Sequence, residues 1–352
     1  MSGPREAAFR ALGERCAGSI AAVQESMPER DGLRRFASSD RGRSVLGGVT
    51  AATREAEGDA LADLRALAEG AGRRFEDLLL ANFRGDLGYD DGTGCTDLAW
   101  SRSSAFVAHN EDGAPSLDGH LRFVTLALDG EPSVTAQWYP GFLPSNAWCV
   151  NEHGLAWGIN HVQVASPAVA AGRHFVARGL QCVRDLDEAA DYLRTHPIAG
   201  GFTFTLGAAP SGRSVTVESA AGRVEARSPQ AGSPLVWHTN HLRFLPDSMD
   251  TPAGQSLDQA TSHLGLYDES QLRGSVLGAL AIPGGEPDVA WFEQVLCNNP
   301  VPCGGVRRDA EGDDPLATLC TTIVDLHAGI VHVRSPHGAA DVDMVGFARG
   351  EA

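Results

Sequence analysis

Residues 85–97 read GDLGYDDGTGCTD and divide the chain into two parts of different character. Within this stretch, Gly85–Gly94 alternates glycine with aspartate, which predicts a flexible, polar and exposed loop. The loop ends at Gly94, and Cys95 follows it directly. A Gly-Cys pair is by itself a weak signal, because a lone cysteine is most often a buried structural residue.

The part before the loop is predicted to be helical, and the part after it is rich in predicted strands. Helical spacing of apolar residues predicts helices over Ala52–Ala71, Phe75–Phe83, 174–195, about 257–267 and 288–297. Short apolar runs predict strands at Ser104–Ala108, Leu121–Leu128, Ala147–Val150, Leu155–His161, Phe202–Leu206, Ser214–Glu218, Leu235–His238, 317–325 and 330–334. The strand at Leu121–Leu128 is apolar at most positions, so we expect it to be covered on both faces. Blocks of strands alternate with blocks of helices, which favours an α+β fold.

Composition excludes several classes of protein. All 28 basic residues of the 352-residue chain are arginines. A P-loop, a protein kinase and a Schiff-base enzyme each need a lysine. The net charge of −17 disfavours nucleic acids and anionic membranes as partners.

Location and cofactors are also expectations from the sequence. No apolar run is long enough to span a membrane, and the first ten residues lack the apolar stretch of a secretory signal, so we expect a cytoplasmic protein. The seven cysteines form no CxxC pair, and no HExxH occurs. We therefore predict no disulfide scaffold, metal site or cofactor.

Four further motifs place Cys95 in a recognisable order. They are His109-Asn110-Glu111-Asp112-Gly113, Asn151-Glu152-His153-Gly154-Leu155, Gly158-Ile159-Asn160-His161 and Trp237-His238-Thr239-Asn240-His241. This order resembles the acyl-CoA:6-aminopenicillanate (isopenicillin N) acyltransferase family of N-terminal-nucleophile (Ntn) hydrolases, which is related to the choloylglycine hydrolases. Residues 67–72 and 75–82 look like the family's helical prosegment, and 318–325 with 331–334 look like its closing hairpin.

The resemblance implies a four-layer αββα sandwich with a helical N-terminal prosegment. It also implies self-cleavage between Gly94 and Cys95, which would give a light chain of residues 1–94 and a heavy chain of 95–352. A thiol can attack the preceding carbonyl if the loop presents it, and Gly94 has no Cβ to obstruct the approach. The thioester that results is hydrolysed, and Cys95 gains a free α-amino group.

That amine would make Cys95 both nucleophile and base. The ordinary pKa of an α-amino group is about 7.7–8.0, so part of it is neutral near neutral pH and can take the thiol proton. N-terminal threonine enzymes use the same arrangement.

Other site residues follow from the resemblance. It implies that Asp112 orients the amine and thiol, and that Asn160 and Asn240 line the oxyanion site or bind the substrate amide. An asparagine amide aimed at an oxyanion contributes about 3–4 kcal/mol. On the residues alone, Asn110 either holds this loop or simply forms a turn. On the same basis, Asp112 could instead be a turn aspartate, Asn160 a strand-end cap and Asn240 a turn residue.

Substrate binding is assigned to a further group: His109, Asn110, His238, Arg307 and Arg308. His109 replaces an arginine of the choloylglycine branch. The acyltransferase branch has an arginine before its closing hairpin, and Arg307 and Arg308 lie near that place. His238 is expected to be structural or to line the substrate.

Three functions remain open on the sequence. The first is a self-processing amidohydrolase or acyltransferase acting on a small N-acyl amide or thioester, with both chains staying associated. The second is an uncleaved hydrolase in which Cys95 pairs with a histidine such as His238. The third is a non-catalytic relative that binds a small acyl ligand.

Overall fold

The computed structural model describes residues 1–88, 94–164, 166–246, 264–298, 306–311 and 314–351, with only the backbone of 264–268. The N-terminal part is helical, as predicted. Its helices are α1 (Arg5–Ser26), α2 (Arg30–Ser38), α3 (Asp40–Ala56), α4 (Gly58–Gly70) and α5 (Phe75–Asn82).

The remaining elements form two sheets with further helices. The strands are β1 (Ser2–Gly3), β2 (Cys95–Ser101), β3 (Ala105–Gly113), β4 (Arg122–Leu128), β5 (Val134–Trp138), β6 (Trp148–Asn151), β7 (Leu155–His161), β8 (Gly201–Ala208), β9 (Arg213–Ala220), β10 (Arg223–Arg227), β11 (Leu235–His238), β12 (Ala317–Asp325), β13 (Ile330–Ser335) and β14 (Gly338–Asp343). The later helices are α6 (Arg173–Gly179), α7 (Leu186–Thr195), α8 (Leu264–Gly278), α9 (Val289–Glu293) and α10 (Met344–Ala348). A 3₁₀ turn covers Leu180–Cys182, and a π-helical turn covers Gln294–Asn298.

The strand order defines an eight-stranded and a six-stranded sheet. The first runs β1-β4-β5-β6-β7-β8-β9-β10, and the second runs β11-β2-β3-β12-β13-β14. Every pairing is antiparallel except that of β1 with β4. The strand that begins at Cys95 therefore lies inside the six-stranded sheet, between β11 and β3.

Three apolar clusters show that these elements form four layers. Phe9 and Leu67 of the N-terminal helices pack with Trp138 on the outer face of the eight-stranded sheet. Val107 and Trp148 belong to the cluster between the two sheets. Residues of α8, α9 and the π-helical turn cover the outer face of the six-stranded sheet, packing on Trp100, Phe106 and Ile323. The predicted α+β fold with its αββα layering is confirmed.

Two predicted helices are each divided in the structure. Residues 52–71 change from α3 to α4 at Glu57, whose φ of −133° leaves the helical region. Glu57 accepts a 2.5 Å hydrogen bond from Tyr192, so a tertiary contact accompanies the break. Residues 174–195 divide into α6, the 3₁₀ turn and α7, because Asp185 caps α7 through the N–H groups of Asp187 and Glu188.

The other helix predictions were placed approximately. The prediction at 257–267 falls largely on residues 247–263, outside the described part, and α8 begins only at Leu264. The prediction at 288–297 corresponds to α9 and the π-helical turn.

Strand prediction missed elements of low intrinsic preference. β14 (GAADVD) contains few strand-forming residues and exists because it pairs with β13 over six positions. β1, β2, β5 and β10 were also missed, although β5 (VTAQW) is rich in residues that favour strands. The expectation that 121–128 is covered on both faces was wrong for its first half, since Phe123 is 38% exposed.

The expectation of an exposed loop at Gly85–Gly94 was wrong at its beginning. Asp86 is fully buried and accepts hydrogen bonds from the backbone N–H groups of Arg173 and Gly200. Gly85 and Leu87 are buried too. Residues 89–93 lie outside the described residues.

Among the described residues, no helix has both the length and the apolar character needed to cross a membrane. The six described cysteines are free thiols.

Candidate active site

Cys95 begins β2, and the register of β2 with β3 gathers polar side chains around it. Cys95 lies opposite Glu111, and Asp97 lies opposite His109. Alternate residues of a strand share a face, and directly opposed residues share it too, so all four side chains project to one side of the sheet. Each of these side chains is at least 95% buried.

The side chain of Cys95 faces a chain of hydrogen bonds that we call the thiol side, formed by Asp97, His109, Glu111 and Tyr139. The Cys95 thiol donates to Glu111 Oε2 across 3.7 Å. The His109 ring joins Glu111 Oε2 at 2.9 Å to Asp97 Oδ1 at 2.7 Å. The Tyr139 hydroxyl donates to Glu111 Oε1 at 2.8 Å.

Gly158 of β7, in the eight-stranded sheet, packs directly against the thiol side. A Cβ on Gly158 would lie 2.6 Å from Asp97 Oδ1 and 2.6 Å from His109 Nδ1. No side chain fits there without moving the His109–Asp97 pair. The two sheets can therefore approach each other only because residue 158 is glycine.

The main chain of Cys95 contacts a second group of residues, the peptide side, formed by Asn240, Glu269, Arg273 and Arg308. The Cys95 N–H donates to Asn240 Oδ1 at 3.2 Å. Arg273 donates to the Cys95 carbonyl at 2.7 Å and to Asn240 Oδ1 at 2.6 Å. Glu269 pairs with Arg273 at 2.5 Å.

Arg308 extends the peptide side to the residue before the nucleophile. A Cβ on Gly94 would lie 2.0 Å from Arg308 Nη1, so the guanidinium packs directly on this glycine. Arg308 also pairs with Glu269 at 3.2 Å and with Asp314. Two buried arginines thus flank Cys95, with Arg308 at Gly94 and Arg273 at the Cys95 carbonyl.

Burial governs the protonation of this site. Burial and the neighbouring Glu111 charge raise the pKa of the Cys95 thiol to about 12. Burial also raises the pKa of Asp112 to about 7, although Arg273 and Arg308 act against it. For His109, burial favours the neutral form, but the Asp97 charge and its hydrogen bond outweigh it and raise the pKa well above 6.5.

Among the predicted catalytic residues, Asn240 lies in contact with Cys95. It does so through its oxygen, while its amide nitrogen donates to the His161 carbonyl. The amide nitrogen of Asn160 donates to the carbonyls of His238 and Thr239, which fixes the segment before Asn240. In this state Asn160 supports the site and does not present its amide to an oxyanion.

Asp112 lies beside the site, with its carboxylate turned to β12. Its Oδ1 accepts from Thr318 at 2.7 Å. Its Oδ2 is buried and has no hydrogen-bond partner among the described residues. The predicted contact of Asp112 with the Cys95 amine is not made in the uncleaved chain.

The predicted substrate-binding residues separate into two groups. His109 and Arg308 contact the Cys95 surroundings as described above. Asn110 instead joins Leu296 and Thr321, with both ends of its amide used at 2.8 and 2.6 Å.

His238 and Arg307 lie apart from Cys95. The His238 ring bonds Glu218 at 2.7 Å, so it cannot be the histidine that pairs with Cys95. Arg307 pairs with Asp309 at 2.9 Å and lines a cleft of about 300 Å³. Thr318 also lines this cleft and connects it to Asp112.

Sequence reasoning missed Glu111, Asp97, Tyr139, Glu269 and Arg273. For the first two a signal existed, because Cys95 and Asp97 alternate on one strand, as do His109 and Glu111 on the next. Arg273 gave no signal, since it lies on a helix remote in sequence and reaches Cys95 only through folding.

One cation could be held by this group. The donor atoms of Cys95, His109 and Glu111 lie within 4.8 Å of one another. They already contact each other through hydrogen bonds, and we assign no metal to them.

Comparison with known proteins now identifies the family. Residues 100–339 match the family described as acyl-coenzyme A:6-aminopenicillanic acid acyl-transferase, which is more than half of the chain. The chain belongs to this family. The match starts five residues after Cys95, so Cys95 and the peptide before it lie outside the matched residues. No curated protein matches the chain significantly.

Solved structures with a similar arrangement are more distant. A variant of the conjugated bile acid hydrolase from Clostridium perfringens is 12% identical over 71% of this chain and 92% of its own, with a TM-score of 0.42. The penicillin V acylase from Agrobacterium tumefaciens is 13% identical over 72% and 86%, with a TM-score of 0.40.

Proposed function

We propose that the chain cuts itself between Gly94 and Cys95 and then uses Cys95 as an N-terminal nucleophile. The single observation that carries this proposal is the set of buried polar side chains that contact the Gly94–Cys95 junction. Its nitrogen donates to Asn240, its Gly94 end packs against Arg308, and Arg273 donates to the carbonyl that follows it. Any buried backbone group needs a hydrogen-bond partner, but two buried arginines at one junction exceed that need and carry a desolvation cost.

The oxygen of Asn240 suits the product of cleavage. It lies 3.2 Å from the Cys95 nitrogen, which is an amide before the cut and an amine after it. An amine that donates one hydrogen to Asn240 keeps its lone pair for the thiol proton. Asn240 would thus orient the base of the mature enzyme.

The substrate class follows from family membership and from the thiol. We propose that Cys95 takes the acyl group of a small N-acyl amide or thioester, and that water or an amine then accepts it. The cleft beside Thr318, with Arg307 and Arg334 among its lining residues, is the proposed substrate approach.

The light chain is proposed to remain bound after the cut. Strand β1 pairs with β4, and Arg5 joins Glu131 at 2.6 Å across the proposed cleavage point. Phe9 and Leu67 share an apolar core with Trp138 of the heavy chain. A shared apolar core of this kind favours continued association after the covalent bond is cut.

Intact mass of freshly purified protein tests the proposal. Of the 352 residues in the 37.0 kDa chain, 94 precede the cut, so we expect fragments of about 9.9 and about 27.1 kDa. Cys95→Ala should abolish both the cut and turnover. A single uncut species from active wild-type protein would contradict it. Assays of N-acyl amines and acyl thioesters, with and without amine acceptors, then separate hydrolysis from transfer.

A second candidate is an uncleaved hydrolase that uses the internal Cys95. The observation that favours it is His109, which hydrogen-bonds the Cys95 thiol and is held by Asp97 at 2.7 Å, the order of cysteine, histidine and orienting side chain found in Cys-His hydrolases. This candidate predicts full activity in the uncut chain, so the same mass measurement separates the two.

A further inference from the structure

Self-cleavage poses a chemical problem that the mature enzyme does not have. Before the cut, the Cys95 nitrogen is an amide that donates to Asn240, and it cannot accept a proton. The thiol pKa is raised to about 12 by burial and by the Glu111 charge, so the thiol is protonated near neutral pH. A group other than the α-amine must take its proton.

The neighbours of Cys95 leave few acceptors. On the peptide side, the arginines only donate hydrogen bonds, and the Glu269 carboxylate is paired with Arg273 and Arg308. Asp112 turns its Oδ1 to Thr318, and its charge raises the thiol pKa less than the Glu111 charge does. His109 also hydrogen-bonds the thiol, but its raised pKa keeps the ring protonated, so it cannot accept a proton. Glu111 is the carboxylate to which the Cys95 thiol donates, with Oε2 3.7 Å from Sγ.

We infer that Glu111 accepts the thiol proton of Cys95 during self-cleavage. This inference rests on the proposed function and adds a catalytic residue to its first step. Once the α-amine is free, the amine takes over as the base.

The surroundings of Glu111 suit the transfer of a proton. Tyr139 donates to its Oε1 and remains protonated, because burial raises the Tyr139 pKa well above 10. His109 contacts Oε2 and is itself held by Asp97, so the carboxylate keeps a fixed orientation while Oε2 faces the sulfur. Cys320 lies opposite Glu111 on β12, the strand that pairs with the other edge of β3.

The proton and bond count balances. The thiol proton passes to Glu111 as Sγ forms a bond with the carbonyl carbon of Gly94. The C–N bond then breaks, and the Cys95 nitrogen takes this proton from Glu111 to become an amine, which returns Glu111 to its carboxylate form. Water next adds its hydroxyl to the Gly94 carbon and its other proton to the departing sulfur. The Gly94 carboxylic acid so formed releases its proton to solvent, which leaves a Gly94 carboxylate and a free thiol.

The test follows the cutting of newly made full-length chain from cell-free synthesis on denaturing gels. General bases contribute about 10²–10⁴ in rate, so Glu111→Gln should slow the cut at least about 100-fold. The matched control is Glu57→Gln, which neutralises another buried glutamate that accepts from a tyrosine, Tyr192. Glu57→Gln should cut at the wild-type rate.

The outcomes separate this inference from the proposed function. A wild-type chain that never cuts contradicts both. A wild-type chain that cuts, with folded Glu111→Gln cutting equally fast, overturns only the assignment of Glu111.

A milder variant decides the matter if Glu111→Gln does not fold. Tyr139→Phe removes one donor that favours the charged carboxylate, while Cys95, His109 and Cys320 remain as the other titratable neighbours. The pH profile of the cleavage rate should change in shape. An unchanged shape would overturn the inference, because a purely structural Tyr139 would alter the amplitude alone.

Discussion

Two buried groups of charged residues in this protein differ in how completely they are neutralised. The first, the helix-layer cluster, contains Arg5, Asp63, Glu131 and Arg178. Asp63 forms ion pairs with Arg5 at 2.6 Å and with Arg178 at 3.2 Å. Glu131 forms ion pairs with the same two arginines at 2.6 and 2.7 Å. Two cations meet two anions, which is the condition for a buried ionic cluster to be tolerated.

The second group, around Cys95, is divided and incomplete. Its thiol side gathers two carboxylates and one histidine, and its peptide side pairs Arg273 and Arg308 with Glu269 and Asp314. Asp112 keeps one oxygen without a hydrogen-bond partner among the described residues, and its pKa is raised to about 7. Strongly shifted protonation is typical of sites that carry chemistry. Burial raises the pKa of Asp63 in the helix-layer cluster as well, so the shift alone does not distinguish the two groups. The comparison teaches that they differ in charge balance, since two carboxylates of the thiol side share one histidine, whereas Asp63 and Glu131 share two arginines.

Breaking the balanced cluster should have the largest effect on stability. Asp63→Asn leaves Arg178, which is fully buried, with one carboxylate partner fewer. Removal of one partner from a buried ion pair costs about 3 kcal/mol or more. Urea unfolding in the uncleavable Cys95→Ala background measures the loss.

The same variant tests whether this cluster helps to hold the two polypeptides together after cleavage. In the cleavable chain, Asp63→Asn should weaken the association of residues 1–94 with 95–352, seen as loss of the light chain on size exclusion. The self-cleavage rate should stay within a few-fold of wild type. A large fall in that rate with retained stability would erase the distinction between the two clusters.

Displacing the side chains of the group around Cys95 should give the next largest effect, a slower self-cleavage. Gly158→Ala places a methyl group 2.6 Å from both Asp97 and His109, so the thiol side must move. A displacement near 1 Å can cost about 100-fold in rate, or about 2.7 kcal/mol. The cutting of newly synthesised chain measures it.

Gly18→Ala is the matched control for that substitution. A Cβ on Gly18 in α1 meets nothing within 4 Å. The variant should gain up to about 1 kcal/mol of stability and cut normally. Equal rates in Gly158→Ala and Gly18→Ala would show that the thiol side does not govern the cut.

The smallest effect concerns the pH dependence of stability. Since the pKa of Asp112 is raised to about 7 in the folded chain, the fold favours its protonated form. This stabilisation is full below about pH 4 and is lost as the pH rises through about 7. Asp112→Asn stays neutral throughout.

Urea unfolding at pH 5 and pH 8, again with Cys95→Ala, isolates this contribution. At each pH, the unfolding free energy of the Asp112→Asn variant is subtracted from that of the chain that keeps Asp112. This difference should fall from pH 5 to pH 8. A constant difference would mean that Asp112 keeps the same protonation state in both conditions.

Sequence reasoning reached the layers and several site positions but not the full site. It located β11 and β12 at their observed bounds, because their runs are long or strongly apolar. The order of motifs pointed to Cys95 and Asn240, and the family resemblance pointed to Arg307 and Arg308 together, of which the structure brings Arg308 to Gly94. It did not find Arg273, which has no pattern of its own.

What the sequence determined by itself was the local preference of each segment and the order of its motifs. Helical spacing before residue 85, alternation after Cys95 and the Gly94–Cys95 pair can all be read from neighbouring residues. What only the tertiary structure decided was which charges meet. Hydrogen bonds and ion pairs act over about 3 Å, while Arg273 and Cys95 are 178 residues apart in the chain, so their contact exists only after the sheets and α8 have packed.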